Sequence, residues 1–451
     1  MNAAPSSLSG QDVVVVGLGR SGVAAASLCA RHGARVVATD SRPLMELSEQ
    51  ARALDATLLV GGHEEVKFNE ADRIVISPGV PSLEPIESAR AQGVSVIGEL
   101  ELAWSFCSAP VLAVGGTNGK STVTTLLAEM LAAEFGAVFS GGNLGVPLSE
   151  VVEETWDALV LEVSSFQLER APTFRPAIGV LLNISEDHLD RYDSFEHYAA
   201  AKGNAFVNQA GDDTAVLPAG DALCEQQCAR GAGKRSYFGN TTASQADYQV
   251  ADDRLLERST GHLIDLREVR LFGEHNRLNI AATVAAARAF GTSWQSIEEV
   301  LGSFEGLPHR MQWIRCAEGV DYYDDSKATN VDAALCAVQG VKAKRVVLIA
   351  GGRDKGGSYA PLAAALASRA GAVIVIGEAA GRIAAAMPDG VELRRAATLA
   401  DAVLTAAAMA TRGDAVLLSP ACSSFDQYRS YGERGDDFQQ AVQRLTDGVT
   451  R

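Results

Sequence analysis

Residues 111–125 read VLAVGGTNGKSTVTT: four apolar residues, a glycine-rich turn and the start of a helix. The Walker A pattern G-x-x-x-x-G-K-[ST] requires a glycine at the position of Val114, so the stretch departs from it at one fixed place. A polyphosphate needs backbone N–H groups at a helix N-terminus, little side-chain bulk and a cation, and Lys120 supplies the cation. Two glycines directly after Val114 can replace the missing one. We therefore predict an ATP-binding loop, with Ser121 placed to ligate Mg²⁺, rather than a plain capped turn.

Composition narrows the class of protein. The chain has 451 residues, 47% hydrophobic and 21% charged, which is typical of a soluble protein with two or three domains. Its formal net charge of −17 repels nucleic acid and anionic lipid, so neither is an expected partner. Seven cysteines without a C-x-x-C pair indicate a reducing compartment. The N-terminus, MNAAPSSLSGQ, lacks the features of a signal peptide, so we expect a cytoplasmic protein without membrane insertion.

Short apolar strands alternate with helices in three successive groups. This rhythm predicts parallel sheets that are buried on both faces. The predicted fold class is α/β with three domains in series: a Rossmann-like domain at 1–98, a central P-loop ATPase-like domain at 99–306 and a Rossmann-like domain at 307–451. The predicted strands cover residues 13–16, 35–39, 73–76, 94–97, 111–114, 158–163, 177–182, 346–350, 373–376 and 415–418.

Polar groups follow two neighbouring strands of the central domain. Glu162 ends the apolar run at 158–161, and the run at 177–182 leads into Asp187 and His188. The carboxyl ends of parallel strands meet at one edge of a sheet, so these groups should lie beside the phosphate loop. Carboxylates at such strand ends commonly hold the metal that accompanies a triphosphate. We therefore predict a metal site at this edge.

A second glycine pattern lies in the first domain. GLGRSG at residues 17–22 fits G-x-G-x-x-G between a strand and a helix, and Asp40 follows the next strand. Taken alone, these features predict an NAD-dependent oxidoreductase. The underlying physics is only a diphosphate at a helix N-terminus with an acid near a ribose, which any nucleotide diphosphate satisfies. The oxidoreductase and a regulatory nucleotide switch therefore stay open as alternatives.

The third domain contributes polar segments close to strand ends: DDSKATN at 324–330, GGRDKG at 351–356 and SPACSSFDQY at 419–428. Lys327 and Lys355 would bring cations to the same edge. Each segment taken singly is explained by helix caps and solvated lysines, but together they indicate a site for an anionic ligand.

Seven segments resemble, in this order and at these intervals, the Mur ligases, ATP-dependent amide-bond-forming enzymes of peptidoglycan precursor synthesis: GTNGKST, LEVSSFQLE, NISEDHLDRY, EHNRLN, LPHRMQ, DDSKATN and SPACSSFDQY. The resemblance spans essentially the whole chain. In that family the loop reads G-x-[ST]-N-G-K-[ST], which accommodates Val114. The DSKATN and SPACSSFDQ segments, joined to a short GLGRSG-bearing first domain, are similar to the branch of the family that adds D-glutamate.

The resemblance implies a reaction in which ATP phosphorylates the L-alanine carboxylate of UDP-N-acetylmuramoyl-L-alanine. The amine of D-glutamate then attacks the acyl phosphate. The first domain would hold UDP rather than NAD, and the third would close over the central one during catalysis. A monomeric enzyme of cell-wall biogenesis, and hence of cell shape and division, is the expectation. Another Mur-type ligase or one like folylpolyglutamate synthase is the alternative within this chemistry.

The resemblance also assigns residues to roles. The predicted ATP-binding residues are Gly116, Thr117, Asn118, Gly119, Lys120, Ser121, Thr122, Asn276, Asn279, Arg310 and Asp325. The predicted residues for the UDP substrate are Leu18, Gly19, Arg20, Asp40, Ser41, Arg42, Ser77, Gly79 and Asn143. Those for D-glutamate are Thr329, Lys355, Ser424 and Tyr431, the last standing where the family is expected to have phenylalanine.

The catalytic set implied by the resemblance is Lys120, Asn143, Glu162, His188 and Lys202. Two Mg²⁺ ions are expected, held by Ser121, Glu162, His188 and Lys202. A free ammonium at Lys202 would be repelled by these ions, whereas the carbamate that the family carries at this position is an anion that can ligate them.

Overall fold

A computed structural model describes residues 7–143, 145–187, 191–240, 245–271 and 273–445. Within these residues the strands form three sheets, of five, nine and six strands, that follow one another along the chain. The predicted α/β fold with three sheet-containing regions in series is therefore confirmed. The boundaries predicted at residues 98 and 306 stay a prediction. Searched over the same described residues, no helix combines the length and apolar character that crossing a membrane requires.

The first sheet is wholly parallel, with strand order β3-β2-β1-β4-β5. Its strands are β1 (Asp12–Val16), β2 (Arg35–Asp40), β3 (Thr57–Val60), β4 (Arg73–Ile76) and β5 (Ser95–Gly98). Its helices are α1 (Arg20–Arg31), α2 (Glu49–Arg52) and α3 (Glu84–Ala91), with 3-10 turns at Leu44–Glu46 and Phe68–Glu70. The chain reverses its direction of progress across the sheet beside β1, the position at which open α/β sheets bind ligands.

The second sheet has the order β14-β13-β12-β11-β10-β9-β6-β8-β7. Its strands are β6 (Val111–Gly115), β7 (Val138–Gly142), β8 (Ala158–Glu162), β9 (Ile178–Leu181), β10 (Thr214–Pro218), β11 (Lys234–Asn240), β12 (Tyr248–Ala251), β13 (Arg254–Glu257) and β14 (His262–Asp265). Its helices are α4 (Glu99–Trp104), α5 (Lys120–Phe135), α6 (Leu148–Val151), α7 (Ser165–Leu168), α8 (Phe195–Gly203), α9 (Ala222–Cys228), α10 (Glu274–Phe290) and α11 (Trp294–Ser303). β6 lies between β8 and β9 with both pairings parallel, which brings the three strand ends to one edge.

The third sheet has the order β15-β16-β20-β17-β18-β19, with only the β15–β16 pairing antiparallel. Its strands are β15 (Gln312–Ala317), β16 (Val320–Asp324), β17 (Val346–Gly351), β18 (Ala372–Ile376), β19 (Glu392–Arg395) and β20 (Ala415–Leu418). Its helices are α12 (Val331–Gly340), α13 (Ala360–Ser368), α14 (Ala380–Ala386), α15 (Leu399–Met409) and α16 (Tyr431–Gln443).

The central strands are buried because apolar helices cover both faces of each sheet. β6, β8 and β9 are buried along their whole length. The buried faces of α5 and α10 pack against the second sheet in one apolar cluster. Since every side chain of such a strand is surrounded by apolar atoms, polar residues can appear only where the strand ends. The core thus fixes the edge at which Glu162 and the glycine loop emerge.

Candidate active site

The loop after β6 adopts backbone conformations that favour glycine. Gly116 has φ of +140° and Gly119 has φ of +85°. A Cβ added at Gly119 would lie 2.5 Å from the Asn279 side-chain oxygen. Within the described part of the chain, no side chain caps α5, so its first N–H groups face the loop as an anion site would need. The predicted strand, glycine turn and helix are present.

Asn183 holds the loop from the end of the neighbouring strand. Its Oδ1 accepts hydrogen bonds from the backbone N–H groups of Thr117 at 3.1 Å and Asn118 at 2.9 Å. Its Nδ2 donates to the Asn118 carbonyl at 3.1 Å. One side-chain amide therefore holds both N–H groups and a carbonyl of the backbone at the centre of the turn.

The half-buried Lys120 and the buried Lys202 meet at the same loop. Lys120 Nζ donates to the carbonyls of Gly116 and Thr117, both at 2.9 Å, and Lys202 Nζ donates to that of Gly116 at 2.7 Å. Burial lowers the pKa of the Lys120 ammonium. Burial, and then the charge of Lys120, hold the pKa of Lys202 well below its usual range. The α8 lysine is thus directed at the phosphate loop and shifted toward its neutral amine.

Glu162, at the end of β8, accepts two short hydrogen bonds. Ser121 Oγ donates to its Oε2 at 2.5 Å and Asn143 Nδ2 donates to its Oε1 at 2.6 Å. Burial by itself would raise the pKa of this carboxyl, but the charge of Lys120 and the two hydrogen bonds bring the pKa below its usual value. Glu162 is therefore an ionised carboxylate in a buried site.

The hydroxyl of Ser121 and the carboxylate of Glu162 fit a hard divalent cation. Both supply oxygen ligands and the two oxygens lie 2.5 Å apart, with Ser121 in the first turn of α5 and Glu162 at the end of β8. Among the described residues, no cluster of three or more His, Cys, Asp or Glu side chains completes a metal cage. A metal here would take its other ligands from phosphate and water, as Mg²⁺ commonly does. His188 lies outside the described residues.

Arg310 extends from the start of the third region to the phosphate loop. Its guanidinium donates to Ser121 Oγ at 2.7 Å. Its two neighbours, His309 and Met311, have φ of +60° and +46°, conformations that cost energy in residues with a Cβ. Asp324 Oδ2 lies 2.7 Å from His309 Nδ1, and the Met311 N–H donates to Asp325 Oδ1 at 3.2 Å.

Asp325 is buried behind this arginine. Burial raises the pKa of its carboxyl from 3.8 to about 7, although the Ser419 hydroxyl and the Met311 N–H both donate to it. A carboxyl in this state can donate as well as accept a hydrogen bond near neutral pH. It lies in the same cavity as Arg310.

Further contacts join the third region to the central one. Asn330 Nδ2 lies 3.3 Å from Asn118 Oδ1 and 3.3 Å from Asp187 Oδ2. Lys355 Nζ lies 3.6 Å from Asp187 Oδ1. The structure is therefore in an arrangement in which the two regions touch at the phosphate loop.

A cavity of about 670 Å³ lies between these two regions. The predicted residues that line it are Thr117, Asn118, Gly119, Lys120, Ser121, Thr122, Asn143, Glu162, Asn276, Asn279, Arg310, Asp325, Thr329 and Lys355. Of the described residues predicted for ATP, metal and amino acid, Gly116, Lys202, Ser424 and Tyr431 lie outside its walls. Gly116 and Lys202 are nevertheless bonded to the loop, and the Tyr431 ring lies 3.9 Å from the ammonium of the lining residue Lys327.

The predicted UDP residues gather at the carboxyl edge of the first sheet. Gly17 and Gly22 pack so closely that a Cβ on Gly22 would lie 1.8 Å from the Gly17 carbonyl oxygen. Asp40 accepts from the Leu18 N–H at 2.7 Å and from the Arg42 N–H at 2.9 Å. The hydrogen bonds of the Arg42 side chain lower the pKa of Asp40 to about 2. Gly19 and Ser41 are in the same two loops.

This edge is joined to the central region. The Arg20 guanidinium donates to the Gly145 carbonyl at 3.0 Å and to the Glu150 carboxylate at 3.1 Å. Gly145 stands two residues after Asn143. Ser77 and Gly79 line a second cavity, of about 610 Å³. A ligand held by the first sheet could therefore extend toward Asn143.

Comparison with known families covers the three regions in turn. The model described as Mur ligase MurD-like, N-terminal domain, matches residues 11–98. The Mur ligase middle domain matches residues 114–287, and the Mur ligase glutamate ligase domain matches residues 309–422. The chain belongs to the Mur ligase family.

Relatives and solved structures agree with this membership. This Mur ligase is 45% identical, over 98% of its length and 98% of the relative's, to a protein of Desulfosudis oleivorans called UDP-N-acetylmuramoylalanine--D-glutamate ligase. Its fold is similar to a pseudomurein peptide ligase type C from Methanothermus fervidus, with TM-score 0.64, 19% identity, and coverage of 97% of this chain and 100% of that one. It is also similar to the MurF ligase from Thermotoga maritima in complex with ADP, with TM-score 0.61, 19% identity, and coverage of 97% and 96%.

Sequence reasoning placed Lys327 and Asp187 of this Mur ligase at the sheet edges as charged groups, but it did not predict the contacts of Asn183 and Asn330. Lys327 lines the cavity, and burial lowers the pKa of its ammonium to about 8. Asp187 and Asn330 join the two regions, and Asn183 holds the loop. Asn183 could have been found, as Asp187 was, from its position after β9. The contact between Asn330 and Asp187 crosses 143 positions of sequence, and no local pattern indicates it.

Proposed function

We propose that the chain is an ATP-dependent ligase that joins D-glutamate to UDP-N-acetylmuramoyl-L-alanine through an acyl phosphate. The observation that carries this proposal is the hydrogen bond from Arg310 to Ser121, which brings a cation of the third region to the phosphate loop. The name of a relative that is 45% identical over almost the whole chain supports the choice of substrates. A protein that only binds a nucleotide would not need an arginine of the third region at the Ser121 hydroxyl, which also contacts Glu162.

The first step transfers the terminal phosphoryl group of ATP to the L-alanine carboxylate. Both reactants are anions, so the site must neutralise charge before they can meet. Lys120 and Arg310 are half-buried cations at the loop and would do this. Asn276 and Asn279, which line the cavity on α10, would face the nucleotide, and Asp325 would bond its ribose. Asn143 would orient the carboxylate that receives the phosphoryl group.

Mg²⁺ at Ser121 and Glu162 would supply Lewis-acid neutralisation of the triphosphate. A second metal site at His188 and Lys202 belongs to the same proposal. A neutral amine is required before Lys202 can add CO₂, since the nitrogen lone pair forms the new N–C bond and one proton leaves. The strongly lowered pKa of Lys202 supports such a carbamate, because burial favours the amine that reacts.

In the second step the amine of D-glutamate attacks the acyl phosphate, and phosphate leaves. Lys355 and Thr329 line the cavity and would hold the amino acid, with Ser424 and Tyr431 at the neighbouring loops. Contact between the third and central regions would exclude water from an intermediate that water can hydrolyse.

The three predicted domains take separate parts of this work. Residues 1–98 would bind UDP through the loops that carry Leu18 and Arg42, residues 99–306 would bind ATP, and residues 307–451 would bind the amino acid. The reaction belongs to peptidoglycan precursor synthesis, and so to cell shape and division. We propose that it takes place in the cytoplasm and that the enzyme works as a monomer.

Phosphate release tests the proposal directly. Purified protein is given ATP, Mg²⁺ and UDP-N-acetylmuramoyl-L-alanine, and phosphate should appear only after D-glutamate is added. L-Glutamate in the same mixture is the control and should give none. Release with a different amino acid would point to another Mur-type ligase, and release with a folate substrate would point to the folylpolyglutamate synthase chemistry.

The oxidoreductase alternative predicts a change in NADH absorbance without phosphate release. Both side-chain oxygens of Asp40 are already bonded to Leu18 and Arg42, which leaves this acid less available for the ribose of a dinucleotide. Oxidation of NADH in this assay would nevertheless overturn the ligase proposal.

A further inference from the structure

Lys355, the cation proposed to hold the incoming amino acid, stands in a tight turn that closes on itself. Asp354 Oδ1 accepts a hydrogen bond from the Gly356 N–H at 3.1 Å, so the turn spans Lys355. Gly356 has φ of +83°, a conformation that suits glycine. Lys355 is thus the central residue of a turn that the Asp354 carboxylate closes.

Arg382, on α14, holds this turn at two points. Its guanidinium donates to Asp354 Oδ2 and, at 3.2 Å, to the carbonyl of Gly357. The two contacts lie on opposite sides of Lys355 in sequence. We call Arg382, Asp354 and Gly357 the Arg382 clamp. Since one rigid, planar group contacts both ends of the turn, the backbone between them has little freedom to rotate.

A tyrosine connects the clamp to the loop that carries Ser424. Tyr359 is buried, and its hydroxyl lies 2.9 Å from Asp354 Oδ1 and 3.2 Å from the sulfur of Cys422. The backbones of the two loops are also bonded, because the Arg353 N–H donates to the Ser423 carbonyl at 2.9 Å. The loops proposed to bind the amino acid thus share one support.

We propose that Arg382 and Asp354 are positioning residues that fix the Lys355 ammonium and thereby set the affinity of the enzyme for its acceptor amino acid. Lys355 lines the main cavity, whereas Arg382 and Asp354 lie outside its walls, so the pair acts through Lys355. The inference rests on the function proposed above. It makes the amino-acid step depend on an exposed arginine that lines neither of the two cavities.

The test compares the KM values of three substrates in Arg382→Ala. We expect the KM for D-glutamate to rise by about tenfold, because even a small misplacement of the cation that holds an anionic amino acid is costly. The KM values for ATP and for UDP-N-acetylmuramoyl-L-alanine should stay within about twofold. Arg382→Lys keeps a cation near Asp354 but cannot contact both ends of the turn. Its KM for D-glutamate should therefore lie between the value of the parent enzyme and that of Arg382→Ala.

Arg394→Ala is the matched control. Arg394 also pairs with a carboxylate of the third region, that of Glu392, and its side chain is 55% exposed against 52% for Arg382. This variant should leave all three KM values unchanged. A second measurement follows amide hydrogen exchange in residues 353–358, which should be faster in Arg382→Ala than in Arg394→Ala.

An unchanged KM for D-glutamate in Arg382→Ala would overturn the inference, as would an equal rise for all three substrates, which is the sign of general destabilisation. Unaltered exchange in residues 353–358 would overturn it as well. If the parent enzyme uses a different amino acid, the D-glutamate assignment fails, and the same comparison made with that amino acid still decides the role of the clamp.

Discussion

The phosphate loop makes a quantitative prediction at Gly119, where two separate penalties apply to an added methyl group. The first is conformational: Gly119 has φ of +85°, and a residue with a Cβ in the left-handed region costs about 1–2 kcal/mol. The second is steric, because the new Cβ would lie 2.5 Å from Asn279 Oδ1 and 3.1 Å from Leu182 Cδ1. Gly119→Ala therefore tests the geometry of the loop rather than its charge.

The steric penalty can be worked from the contacts of Asn279. This side chain is 7% exposed, and its Nδ2 donates to Asn276 Oδ1 at 3.1 Å. To make room for the methyl group it must move and weaken that hydrogen bond, which costs about 1 kcal/mol. The total for Gly119→Ala is then about 2–3 kcal/mol. A displacement approaching 1 Å in residues proposed to face the nucleotide should lower kcat/KM for phosphate release by about 100-fold.

Gly291→Ala is the matched control, because it separates the two penalties. Gly291 also adopts the left-handed conformation, with φ of +106° at the end of α10, but an added Cβ there meets nothing within 4 Å. It should lose about 1–2 kcal/mol of stability and retain full activity. The apparent melting temperature of Gly119→Ala should fall by roughly 2–4 °C more than that of Gly291→Ala.

Calorimetric titration with ATP and the phosphate-release assay complete the comparison. In the double variant Gly119→Ala with Asn279→Ala, part of the lost melting temperature should return, since the clash is removed. The reasoning would be refuted if Gly119→Ala bound ATP and released phosphate like the parent enzyme and had the same melting temperature as Gly291→Ala.

Three further outcomes follow from the site. Lys120→Ala should abolish turnover and keep the far-ultraviolet circular dichroism of the parent; near-normal activity would remove the loop from the chemistry. Lys202→Ala should regain activity with a short carboxylic acid and less well with bicarbonate, because only the acid replaces the missing anion; rescue by neither would argue against the carbamate. Asp325 should make the free energy of unfolding depend on pH. Burial raises its pKa from 3.8 to about 7, so its contribution to stability is full below about pH 3.8 and is lost as the pH rises through about 7. Melting temperatures of the parent and of Asp325→Asn, measured at pH 4 and pH 8, should therefore differ in slope, and parallel pH curves would contradict the burial of this carboxyl.

Several of the strands predicted from the sequence are ones whose side chains are nearly all buried, so that apolar residues fill almost every position. β1, β6, β8, β17 and β20 are continuous apolar runs between turn signals, and a strand covered on both faces leaves little other choice. The antiparallel segment β12–β14 was not predicted. Its strands have four residues each and mixed burial, so neither length nor alternation distinguishes them from loop.

The candidate site divides in a similar way. Ser121 and Glu162 could be placed together because two parallel strands and one helix start bring them to a single edge. Arg382 could not be found, since it stands on a short alanine-rich helix and gains its meaning only from a turn 28 positions away in sequence. The contact of His309 also escapes sequence reasoning, because its partner Asp324 stands 15 positions later, at the end of β16.

Hydrogen bonds hold both neighbours of Arg310, and this bears on the order of steps in the proposed reaction. Asp324 and Asp325 belong to the third sheet and its edge, and they hold His309 and Met311 on either side of the arginine. The Arg310 guanidinium is therefore anchored to the third region rather than to the phosphate loop. In the proposed reaction, a triphosphate on the loop would lack one of its counter-charges whenever the two regions were apart, so the arginine would couple phosphoryl transfer to the approach of the region proposed to carry the acceptor.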